Sequence, residues 1–340
     1  MSRTKKRIVS LVALVMLTAS LVGCDGGKIQ NPEVQTSEDY YDYFDTVCTI
    51  YDYSGDEDFT ERCRAIEDII AKYDRLLDIY DEHEGVVNLA TLNRTAGEGS
   101  ALVSAELLDF LLYGKQIYEL TGGEVNIAMG AVLSIWHEHR NSLKTLPSET
   151  ALKTAALHTH IDDLILDEAS CSVRFADPEM SLDAGALGKG YVAARIREYL
   201  ESEGVSGYVV NLGGNLLTVG EKPNGDGWLT GVKSPTEYGK YAKKFTLRDA
   251  SAVTSGSYER YFVVDGERYH HIIDKDTLMP ARGFDSVTVI TSDDALADAL
   301  STGLFCMSYE QCVALLDTID GVSVIWVTES GEVLTYGKIG

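Results

Sequence analysis

The chain has 340 residues, 45% of them hydrophobic and 24% charged, enough for one large or two ordinary domains around a substantial buried core. Its 53 acidic and 29 basic residues give a formal net charge of −24, and no run of Lys or Arg occurs beyond the first seven residues. That balance excludes a nucleic-acid-binding face. It also repels phosphate, so a phosphate-bearing substrate needs a bound cation or well-aimed backbone donors.

The first segment reads as a targeting signal rather than as part of the fold. Arg3, Lys5, Lys6 and Arg7 form a basic stretch, and residues 8–22 an apolar one that is too short for an ordinary membrane span. It ends in Leu21-Val22-Gly23-Cys24, the small-residue-then-Cys pattern of a bacterial lipoprotein signal. Residues 1–23 are therefore expected to be cleaved, leaving a lipidated Cys24 that anchors an exported protein to the cell membrane, outside the cytoplasm. Cleavage removes four basic residues and no acidic one, which takes the charge from −24 to −28. Residues 24–39 are polar and read as a flexible tether, followed by a globular domain over 40–340. The five remaining cysteines, Cys48, Cys63, Cys171, Cys306 and Cys312, match no metal spacing and read as buried thiols.

Along the domain, residues 44–53 alternate in β fashion. Residues 59–81 carry Ile66, Ile69, Ile70, Tyr73, Leu76, Leu77 and Tyr80 at helical spacing. A second helix opens at Ser104 and closes at Thr121-Gly122-Gly123, and a third covers 186–203. Short β-type runs follow at 208–211, 228–232, 258–264, 269–273 and 286–291, separated by turns such as Pro223-Asn224-Gly225-Asp226-Gly227. A helix over about 293–305 precedes a capping box at Ser308 to Gln311, and two strands around Glu329-Ser330-Gly331 close the chain. The pattern is α+β, with β-sheets covered by helices.

Four segments can carry chemistry. In Asp183-Ala184-Gly185-Ala186-Leu187-Gly188-Lys189-Gly190, glycines just before a helix let backbone N–H groups approach an anion. It is no phosphate-cradling P-loop, because Gly190 rather than Ser or Thr follows the lysine, and alone it reads as a tight start to a helix. Asn211-Leu212-Gly213-Gly214-Asn215 reads as a strand-ending turn that requires positive φ. In Ala297-Asp298-Ala299-Leu300-Ser301-Thr302, Asp298 and Thr302 stand one turn apart on one helix face, and their hard oxygens suit Mg²⁺. Finally, Thr254-Ser255-Gly256 is followed by Tyr269-His270-His271-Ile272-Ile273-Asp274, where strand alternation sends only one histidine toward a cleft. His137, His139, His158 and His160 lie in polar stretches and read as exposed, with no third ligand to complete a metal site.

Taken in this order, the segments resemble the ApbE family, the FAD:protein FMN transferases, over about residues 40–335. Phe44-Asp45-Thr46, Leu92-Asn93, Thr121-Gly122-Gly123, Asp183…Gly188-Lys189-Gly190-Tyr191, Val210-Asn211-Leu212-Gly213-Gly214, Thr254-Ser255-Gly256, His271-Ile272-Ile273-Asp274 and Ala297 to Thr302 carry the likeness. The resemblance implies a T-fold-type architecture and an enzyme that cleaves FAD with Mg²⁺, releases AMP and joins FMN through a phosphoester to a Thr or Ser of an acceptor protein. It implies that the Gly188 carbonyl, Asp298 and Thr302 hold the metal, and that Tyr80, Asn93, Asp183, Lys189, Gly213, Gly214, Ser255 and Gly256 line the flavin-nucleotide site. His271 would be the catalytic base. Implied acceptors are subunits of Na⁺-pumping NADH:quinone oxidoreductase or Rnf-type complexes, or exported flavoproteins. A Mg²⁺-dependent FAD pyrophosphatase and a non-catalytic flavin-binding lipoprotein are the alternatives. The chain departs from the family pattern at Gly188, where Ala is usual, at Lys275 in place of Pro, and at Leu278 in place of Gly.

Overall fold

A computed structural model describes residues 34–340 apart from Tyr238. The expected signal peptide, Cys24 and the first part of the tether lie outside the described residues. Strand β1 (Thr36–Tyr43) pairs antiparallel with β2 (Thr46–Asp52), so residues 36–39, expected as tether, are already strand. Their Ser, Glu and Asp side chains carry no β signal. The pairing comes from the backbone ladder, with Thr49 donating to Asp39 at 2.7 Å.

Helix α1 (Phe59–Leu77) buries Ile66, Ile70, Tyr73 and Leu77 on one stripe. It stops four residues before the expected end because Asp78 turns extended and its carboxylate accepts from the backbone N–H groups of Tyr80 and Asp81. Helix α2 (Leu89–Arg94), strand β3 (Ala101–Leu102), helix α3 (Ala105–Leu120), helix α4 (Gly130–Glu138) and helix α5 (Glu149–Ala155) follow. Ser104 caps α3, as its position in the sequence requires. Strands β4 (Leu164–Asp167) and β5 (Ser172–Phe175) join β3 in a small sheet. Beyond helix α6 (Gly188–Ser202) come β6 (Tyr208–Leu212), β7 (Asn215–Val219), β8 (Trp228–Lys233), β9 (Tyr241–Leu247), β10 (Ser251–Gly256), β11 (Tyr261–Val264), β12 (Glu267–His270) and β13 (Phe284–Thr291). Helices α7 (Asp294–Cys306) and α8 (Tyr309–Leu316) and strands β14 (Ser323–Thr328) and β15 (Val333–Tyr336) complete the chain. Both halves of the Ser308/Gln311 capping box are formed at α8.

Eight strands build one antiparallel sheet in the order β1-β2-β6-β7-β10-β13-β14-β15. Alternation sorts its side chains. Cys48, Ile50, Val210, Leu212 and Leu217 pack under α1, α3 and α6, and Val253, Val287, Val289 and Trp326 pack under α7 and α8. The other face carries Ala252, Ile325 and Val327, which the β8–β9 ribbon covers with Val232, Phe245 and Leu247. The β11–β12 ribbon packs separately on α4 and α5 through Phe262, Tyr269, Val132 and Trp136. The α+β arrangement of a helix-covered sheet is therefore realised, and no helix among the described residues is long and apolar enough to cross a membrane.

Helices α6 and α7 meet at Gly190 without a side chain between them. A Cβ there would stand 2.3 Å from Asp298 Cβ and 2.7 Å from the Asp294 carbonyl oxygen. Gly190→Ala is expected to force the helices apart and cost about 1–3 kcal/mol, measured by urea unfolding. Unchanged stability would show that the contact can relax freely.

Candidate active site

The helix-covered side of the sheet holds a cleft of about 650 Å³, bounded by the β1–β2 turn, the end of α1, α4, the start of α6, the ends of β6 and β10, and α7. Asp298 lies on the buried side of α7, only 3% exposed. Its Oδ2 accepts the Gly190 N–H at 2.7 Å. Among the described residues its Oδ1 has no hydrogen-bond partner. One turn on, the Thr302 hydroxyl lies 3.3 Å from Ser255 Oγ, which also meets Ser301 Oγ at 2.8 Å. The i, i+4 spacing thus places both oxygens on the cleft, with Gly188 and Lys189 at the head of α6 opposite.

Asp183 sits before that helix, 7% exposed. Its Oδ1 accepts from the Gly185 N–H at 2.7 Å, and its Oδ2 lies 3.9 Å from His137 Nε2. Tyr80 lines the opposite wall, its hydroxyl 3.2 Å from His137 Nδ1. Asn93 does not reach the cleft. Its amide donates to the Leu182 carbonyl at 3.0 Å and accepts the Leu182 N–H at 2.7 Å, which fixes the backbone one residue before Asp183. Gly213 and Gly214 take φ of 59° and 101°, and a Cβ on Gly213 would strike Thr46 Oγ1 at 2.0 Å. Both glycines, Ser255 and Gly256 line the cleft.

The two histidines separate as alternation requires, although β12 ends at His270, before the expected 273. His270 is buried away from the cleft. Its Nε2–H donates to the Ala281 carbonyl at 2.9 Å and its Nδ1 accepts from the Ile272 N–H, which leaves a neutral ring whose pKa burial pushes down to about 4. His271 faces the cleft with Nδ1 buried and unpartnered. Burial, then the nearby Arg260 and Arg140 guanidinium groups, press its pKa down to about 3, so it is uncharged at neutral pH.

Four cleft residues were not found in the sequence. His137, expected to be exposed, follows Met129 and Leu133 at four-residue intervals on the cleft face of α4, and that spacing was the available signal. Burial lowers its pKa despite Asp183 beside it. Arg140 continues the same face, and Arg260 arrives from the turn before β11. The fourth is Asn215, read from sequence only as part of a turn. It lines the cleft, is 1% exposed, and neither its Nδ2 nor its Oδ1 has a partner. Such a buried amide costs roughly 1–3 kcal/mol. Asn215→Leu, similar in size, is expected to hold or raise the thermal midpoint. A lowered midpoint would show that the amide is satisfied within the protein.

The ApbE family model matches residues 33–326. FAD:protein FMN transferases from Klebsiella pneumoniae (strain 342) and Treponema pallidum (strain Nichols) are similar to this chain. The first is 33% identical over 83% of this chain and 86% of its own length, and the second 32% over 90% and 87%. The ApbE protein of Thermotoga maritima superposes with a TM-score of 0.79 at 28% identity, covering 88% of this chain and 96% of its own. The helix-covered antiparallel sheet, the ordered motifs and these matches agree: the chain belongs to the ApbE family.

Proposed function

We propose that this protein transfers the FMN half of FAD to a hydroxyl of an acceptor protein. The observation that carries the reading is the convergence of Asp298, Thr302, Ser255, Lys189 and His271 on one cleft whose volume falls within the roughly 300–1,000 Å³ typical of small-molecule sites. The Klebsiella and Treponema relatives bear the name of this activity.

Nine carboxylates and three Lys or Arg side chains line the cleft, so a pyrophosphate bound there needs a cation. The residues present fit Mg²⁺. Asp298 Oδ1 is unpartnered, the Thr302 hydroxyl lies one turn away, and both are hard donors. No cluster of three or more His, Cys, Asp or Glu suited to a metal occurs among the described residues. The protein's share would be Asp298, Thr302 and the Gly188 carbonyl, consistent with an ion that keeps waters and substrate phosphates as ligands. When bound, Mg²⁺ would neutralise charge on the pyrophosphate.

The chain's own residues do the rest. Phosphoryl transfer depends mainly on placement and charge. Asp183 and Tyr80 hold the flavin-nucleotide half, and Lys189 adds a positive charge at the head of α6. The acceptor oxygen bonds to the FMN phosphorus, the bond to the bridging oxygen breaks, and AMP leaves. His271, neutral and lining the cleft, takes the hydroxyl proton.

In-gel flavin fluorescence on an acceptor protein tests this. Asp298→Ala and EDTA should each abolish labelling, with added Mg²⁺ restoring only the wild type, and Thr302→Ala should weaken it less. His271→Ala should slow labelling by about 10²–10⁴, and His270→Ala far less. Full labelling by Asp298→Ala in EDTA would remove the metal assignment, and free FMN without labelled acceptor would mark a pyrophosphatase.

We infer that the domain sits outside the cytoplasm on a lipid anchor at Cys24, near membrane redox subunits of the Na⁺-pumping or Rnf type. The signal-like residues 1–24 support it. Cys24→Ala should abolish fatty-acid labelling and leave the protein unprocessed. Unchanged labelling and fractionation would rule the anchor out.

A further inference from the structure

We propose that the mouth of the cleft is a docking surface for an acidic segment of the acceptor protein, read by Arg140 and Arg260. This rests on the transfer reading above. A second recess of about 400 Å³ shares Tyr80, Arg140 and Arg260 with the main cleft and adds Lys144 and Tyr261 at its rim. Arg140 enters from the π turn that follows α4, and Arg260 from the turn before β11.

Neither guanidinium has a carboxylate within ion-pair distance among the described residues. Arg140 Nε donates to the Asn141 side chain at 3.2 Å, and Arg260 donates to the Phe44 carbonyl at 3.2 Å. Lys144 donates to the Arg140 carbonyl. Two arginines near one another repel, and Arg140, half-buried, is held below the usual guanidinium pKa by burial, with Arg260 adding to the effect. In a chain with 53 acidic residues a neutralising carboxylate would be easy to supply. Asp45 and Glu259 do line the recess, yet neither closes an ion pair with the three cations. The forked donors remain available to an outside group, and a guanidinium matches a carboxylate edge.

Position decides whose carboxylate it is. Arg140 and Arg260 line both the cleft that holds His271 and the recess at its mouth, so a segment seated on them lies next to the base that its hydroxyl must reach. The rim also presents the ring of Tyr261, 43% exposed. A rigid aromatic face beside arginines without a carboxylate partner suits a peptide segment.

The test uses the full chain and a purified acceptor domain from an Rnf-type flavin subunit, in two forms. One is natural, and the other has every Asp and Glu within five residues of the flavin-accepting threonine changed to Asn or Gln. Arg140→Gln and Arg260→Gln, singly and together, should raise the KM for the natural acceptor about tenfold or more, with FAD affinity by fluorescence within about twofold. The amide form should show the same rise with the wild-type enzyme and little further rise with the double variant. Raising salt should weaken the natural pair only. Arg260→Lys, which keeps the charge and loses the fork, checks that a rise does not reflect misfolding. An unchanged acceptor KM overturns the proposal. So does an equal loss of FAD affinity, which would assign the anion to the nucleotide. If the wild type labels neither acceptor while releasing FMN, the transfer reading itself has failed.

Discussion

A hydrogen atom in place of a side chain at Gly190 sets the spacing of the two helices on which the cleft's chemistry is mounted. Because α6 and α7 touch there, the Gly190 N–H reaches Asp298 Oδ2 and fixes the carboxylate's orientation, which leaves Oδ1 for a ligand. The same pair of helices is tied again by Arg197, two turns beyond Gly190, whose Nε and Nη2 donate to Asp294 at 2.7 and 3.1 Å. Arg197 also reaches Asp249 and the Thr218 carbonyl, and Ser251 donates to Asp294. Asp294 is 2% exposed, so removing its partner would strand a buried charge at a cost of about 3–5 kcal/mol. A site that must hold oxygens to within about half an ångström needs such support behind it.

The second constraint is charge. Most of the cleft's carboxylates sit on the wall formed by the β1–β2 turn and the end of α1, and its cations on the walls formed by α4, α6 and the turn before β11. Phe44 and Asp45 form the two-residue turn between β1 and β2 and both take φ 51° without glycine. Asp74 accepts the Phe44 N–H at 2.8 Å, while Arg260 donates to the Phe44 carbonyl. The turn is therefore held from both walls of the cleft. Burial raises the Asp74 pKa even with this hydrogen bond lowering it.

The chain read on its own gave helices α1, α3, α6, α7 and α8 but not α2, α4 or α5, about half of the strands, and the metal-suited pair, all of which depend on local spacing. Ser104 and Ser308 declared helix starts, and the i, i+4 relation of Asp298 and Thr302 survived folding unchanged. What it did not give depends on contacts between distant segments. Residues 36–39 are a strand only because β2 lies beside them. Asn93 matches a family motif yet acts 89 positions away, on the backbone of Leu182. His137 looked exposed because the polar residues around it are exposed, whereas its own face of α4 closes over Asp183. Asn215 looked like turn chemistry because nothing in Gly213-Gly214-Asn215 reveals that its side chain is buried at the cleft with no partner.

That last group bears on how the site is balanced. A folded protein normally satisfies its buried amides and imidazoles. Here Asn215 leaves both ends of an amide unmet and His271 leaves Nδ1 unmet, and both line the same cleft. Five further buried atoms among the described residues, one each on Tyr113, Arg195, Trp228, Ser286 and Trp326, share this condition, and none of these residues lines the cleft. Each unmet donor or acceptor at the cleft is a gain in waiting for a ligand that supplies the complement, since the desolvation penalty has already been met on folding. The fold can sustain this because the helices around the cleft are fixed by Gly190 and the Arg197–Asp294 pair rather than by the site residues themselves.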